Sequence, residues 1–62
     1  MDDESLERAL EFEGQMAAWF TIMLRDFPNS PHRDFYVESA RRHVRAGQRY
    51  WREYSRRIRS LS

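Results

Sequence analysis

Sixty-two residues and 7.6 kDa allow one small domain, and a chain of this length buries only about 60% of the surface that its unfolded form exposes. There is no cysteine, which excludes disulfides and thiolate zinc sites as staples and leaves association with another chain as the remaining support for a core. The 40% of hydrophobic residues, nine aromatics among them, exclude a disordered chain, and the longest uncharged stretch, Gly14 to Leu24, is too short to span a bilayer.

A formal net charge of +1 conceals a split. Residues 1–13 sum to −5, residues 14–40 to −1 and residues 41–62 to +7. Such a division suits two ends that face each other, or a basic arm for an anionic partner. The first four residues, Met1-Asp2-Asp3-Glu4, are acidic where a leader peptide would be basic, so a cytoplasmic protein is the expectation.

A first helix is expected over about residues 3–26. Asp2 or Asp3 serves as its cap, and acidic residues in the first turn complement the positive end of the helix dipole. It ends before Pro28, because the residue preceding a proline is pushed out of helical geometry. Residues 27–30 form a connection. A second helix is expected over about 31–59, with Ser30 as cap and Pro31 in the first helical position, where a missing N–H costs nothing. The chain is thus expected to be all-α, one domain over 1–62, folded as an antiparallel two-helix hairpin.

The first helix has a wide apolar face: Leu6, Ala9, Leu10, Met16, Ala17, Phe20, Met23, Leu24 and Phe27, extended on one side by Phe12 and Trp19. At 100° per residue these positions cover about 180°, more than one neighbouring helix can bury. In the second helix Val37, Ala40, Val44, Gly47, Trp51, Tyr54, Ile58 and Leu61 step alternately by three and four, a heptad seam expected to face the first helix. Folding at residues 28–31 sets residue i beside roughly residue 60 − i. Leu6 then meets Tyr54, Glu13 falls near Gly47 and His43, and Asp2, Asp3 and Glu4 lie against Arg56, Arg57 and Arg59.

Catalytic patterns are missing. The chain has no cysteine, no lysine and no glycine-rich loop, so the expectation is a protein that is not an enzyme, with no cofactor and no small-molecule substrate. His32 and His43 stand eleven apart, which does not suit a shared metal, and a core-edge histidine satisfied by Glu13 is the expected role of His43. The sharpest pattern is basic. Arg41, Arg45, Arg49, Arg52, Arg56 and Arg59, spaced 4, 4, 3, 4 and 3, form one stripe opposite the apolar seam. Guanidinium forks bind phosphate oxygens two at a time, and a row about 27 Å long can track a nucleic-acid backbone. A solvated arginine face set by codon preference gives the same pattern.

The edge that one neighbour cannot cover, Phe12, Met16, Trp19, Ile22 and Met23, is the expected protein interface. Its simplest occupant is a second copy, giving a homodimeric four-helix bundle; a larger protein partner is the rival. In length and hairpin shape the chain is similar to plasmid-encoded RNA-binding helical hairpins that dimerise into four-helix bundles. No binding residue follows from that likeness. The leading expectation is a small helical binding protein whose arginine stripe docks on an anionic partner, a nucleic-acid backbone before others. The alternative is an adaptor or accessory subunit that uses the apolar edge of the first helix.

Overall fold

The computed structural model describes residues 1–61 and contains two helices, α1 over Asp3–Asp26 and α2 over Arg33–Leu61. They lie antiparallel in a rod of 48 × 16 × 15 Å. Asp2 caps α1, its Oδ1 accepting from Ser5 N at 2.7 Å, with Asp3 and Glu4 in the first turn. At the other end Phe27 leaves helical geometry at φ −129° and ψ 63°, as a residue before proline must, and its N–H closes on Met23 O at 2.9 Å.

The connection is longer than the sequence suggests. Ser30 O accepts from Arg33 N and Ser30 Oγ from His32 N, each at 3.1 Å, and the first bond of α2 runs from Tyr36 N to His32 O at 3.0 Å. Pro31 therefore occupies the second position of a four-residue turn, where its fixed φ is equally at home, and α2 begins two residues after the expected start. Its end also moves, from 59 to 61, because no breaker stands at Ser60 or Leu61.

Residue i does lie beside residue 60 − i. A Cβ on Gly47 would stand 3.6 Å from Glu13 Cβ, and Arg57 Nη1 donates to Asp3 Oδ1 at 2.7 Å. The expected seam, however, is rotated. The half-buried line of α2 runs through Tyr36, Ala40, His43, Gly47, Tyr50, Tyr54 and Arg57; of the predicted seam Val37, Ala40, Gly47 and Tyr54 are half-buried. Val44, Trp51, Ile58 and Leu61 are 48%, 58%, 48% and 86% exposed. Polar partners account for the rotation. Glu13 reaches His43, and Asp3 with the Met1 carbonyl reaches Arg57; turning α2 to bury Val44 and Trp51 instead would strand the Glu13 carboxylate.

Only Leu6 and Phe20 are buried among the described residues, 1% and 7% exposed. Phe20 centres an aromatic cluster at the turn end. His43 stacks on it at 5.8 Å and 13°, Phe35 and Trp19 meet it edge-on at 5.9 and 4.9 Å, and Tyr36 lies 6.1 Å away.

Candidate functional site

The arginine stripe lies on the side of α2 turned away from α1. The side chains of Arg41, Arg45, Arg49 and Arg52 are exposed and make no hydrogen bond or ion pair among the described residues. The stripe is not uniform. Arg56 Nη2 binds Glu53 Oε2 at 2.5 Å, and Arg59 Nε reaches the Ser55 carbonyl at 3.4 Å. Beside the stripe Arg42 pairs with Glu38 at 3.2 Å. The cationic charge with least internal compensation is therefore Arg41 to Arg52, a run of about 16 Å along the axis.

Arg57, absent from the predicted stripe, is a tether. It donates to Glu53 at 3.0 Å, Asp3 at 2.7 Å and the Met1 carbonyl at 2.7 Å, and those carboxylates raise its already high pKa further. The Arg56 and Arg57 guanidiniums hold the Glu53 carboxyl below its ordinary value. Asp2 is lowered as well, chiefly by the Ser5 N–H that it accepts. In the sequence, the facing acidic and basic ends were the signal for this tether.

Of the expected interface residues, Phe12, Trp19 and Ile22 are 53%, 50% and 44% exposed; Met16 and Met23 are half-buried. Phe12 also meets the edge of the His43 ring at 6.0 Å. On the opposite flank a shallow groove of about 310 Å³ is lined by Leu10, Gly14, Ala17, Val44, Gly47 and Trp51. Sequence reasoning assigned Val44 and Trp51 to the hairpin seam and so missed this surface. The signal was there: Val37, Val44, Trp51 and Ile58 repeat at seven-residue intervals.

Among the described residues no three His, Cys, Asp or Glu side chains converge as metal ligands, and no helix is long and apolar enough to cross a membrane. No family model, curated protein or solved structure matches the chain.

Proposed function

We propose that this protein is a small non-enzymatic helical binding module whose arginine stripe docks on an anionic polymer, a nucleic-acid backbone before others. The observation that carries this reading is the exposed row Arg41, Arg45, Arg49 and Arg52, whose side chains make no ion pair among the described residues. Like charges at i, i+4 destabilise an isolated helix by a few tenths of a kcal/mol each, and phosphates relieve that repulsion while guanidinium forks bind them in pairs. Recognition of this kind follows the backbone and not the bases. A homodimeric four-helix bundle is part of the proposal. Two buried side chains are a small core for 62 residues, and apolar area on both flanks gives a second copy surface to cover.

The exposure of Phe12, Trp19 and Ile22 favours a second reading, an adaptor that seats this edge in a larger protein. Solution mass with and without nucleic acid, at low and high salt, separates the two. A complex that forms at low salt and dissolves at high salt supports the stripe. A folded chain inert toward nucleic acid leaves the adaptor.

A further inference from the structure

The groove on the flank opposite Phe12 and Trp19 has a ridge beside it. Val44, Trp51 and Ile58 stand along one edge, 48%, 58% and 48% exposed, and the lining includes both glycines of the chain, Gly14 and Gly47. Neither glycine is required by the hairpin. A Cβ on Gly14 would touch nothing within 4 Å, and one on Gly47 would make an ordinary contact at 3.6 Å. Both sit in α-helices without positive φ, where alanine is the better residue. The flank is thus an indented apolar surface from which Trp51, stacked on Tyr54 at 6.0 Å, and Val44 protrude, 58% and 48% exposed.

We infer that this flank receives the same flank of a second copy, about a two-fold axis parallel to the helices. The inference rests on the dimer reading above and fixes what it leaves open, the face and the direction of pairing. Two axes can set flank on flank. One perpendicular to the helices lays α2 against the partner's α2, and brings the basic borders Arg41 and Arg52 of two copies together. One parallel to them lays each α2 against the partner's α1, and charge favours it.

A parallel axis leaves heights along the rod unchanged, so residue i of α1 is level with residue 60 − i of either copy's α2. At that register Leu10 is level with the partner's Trp51, Ala17 with the partner's Val44, and Leu24 with the partner's Val37. By helical spacing Glu7 and Arg25 border the groove on α1 along with Gly14, and Asp34 and Arg52 border it on α2. Glu7 is then level with the partner's Arg52, and Arg25 with the partner's Asp34. Both rim pairs are opposite in charge, and the protruding Trp51 and Val44 face the half-buried Leu10 and Ala17. Arg45 and Arg49 remain on the outer corner, and Arg52, with five N–H donors, can face Glu7 and a phosphate at once.

The test uses Asn29→Cys, at the exposed hairpin tip in a chain with no other cysteine, carrying a nitroxide for dipolar distance measurement. The parallel axis predicts both tips at one end of the dimer, within about two helix diameters, roughly 20 Å. Tips separated by most of the 48 Å length overturn the inference. Trp51→Ala is expected to weaken self-association about thirtyfold or more with helicity retained by circular dichroism, and Trp19→Ala to leave it intact. A dimer lost with Trp19→Ala and kept with Trp51→Ala overturns the choice of flank while leaving the dimer standing. A monomer at every concentration overturns the dimer reading itself.

Discussion

His43 Nδ1 lies 2.5 Å from Glu13 Oε2 across the middle of the hairpin, with the two side chains 23% and 13% exposed. A carboxylate only accepts, so Nδ1 is the ring nitrogen that carries the hydrogen. This bond, and not the apolar seam, decides which edge of α2 turns toward α1: it holds the imidazole flat on Phe20 and leaves Val44 and Trp51 outside.

Breaking that bond from the histidine side is expected to be the more informative change. His43→Ala strands a mostly buried carboxylate and removes the ring stacked on Phe20, so a loss of about 1–3 kcal/mol is expected in denaturant unfolding. Glu13→Gln keeps an acceptor opposite Nδ1 and should cost less. A double variant whose loss equals the sum of the two single losses would mean that the pair is not coupled.

Removing either glycine should help the isolated hairpin. Gly14→Ala and Gly47→Ala are each expected to gain up to about 1 kcal/mol from helix propensity, because the added methyl meets open space or an ordinary contact. Thermal unfolding at concentrations where the chain is dilute and unpaired is the measurement, and a loss in both variants would contradict the described packing.

Acid should loosen the ends before the middle. Glu53 and Asp2 have folded pKa values held below their ordinary 4.5 and 3.8. Their contribution is present in full above those ordinary values and is lost as pH falls through the lowered ones. Hydrogen-exchange protection, relative to the intrinsic rate at each pH, should fall at the first turn of α1 and the last turns of α2 as pH drops below about 4. Arg57→Gln should bring the same fraying on at neutral pH, since it removes the link to Asp3 and the Met1 carbonyl. Unchanged protection at the ends in both experiments would contradict the tether.

Much of the hairpin was legible in the sequence. Pro28 and Pro31 mark the bend, Asp2 marks the first cap, and the 60 − i register follows from the length of the connection. Even the Glu13–His43 contact follows from that register. What periodicity could not supply was the rotation of α2. Of the predicted line Val37, Ala40, Gly47 and Tyr54 are half-buried, and hydrophobicity alone prefers the line through Val44 and Trp51. Two polar contacts between the helices reverse that preference, and a helix-by-helix pattern carries no record of its partner's charges. The start of α2 was missed for a local reason: Ser30 and Pro31 suit a helix cap and a tight turn equally well.

Arg41, Arg45, Arg49 and Arg52 are proposed above to bind phosphates. The direct measurement is the affinity for duplexes of unrelated sequence as a function of salt. Four contacts predict a fall of log K against log salt with a slope of about −3 to −4, nearly the same for every sequence, and Arg45→Gln, Arg49→Gln and Arg52→Gln together should flatten it by about two to three units. Affinity that is absent at low salt, or that does not change with salt, would contradict the account.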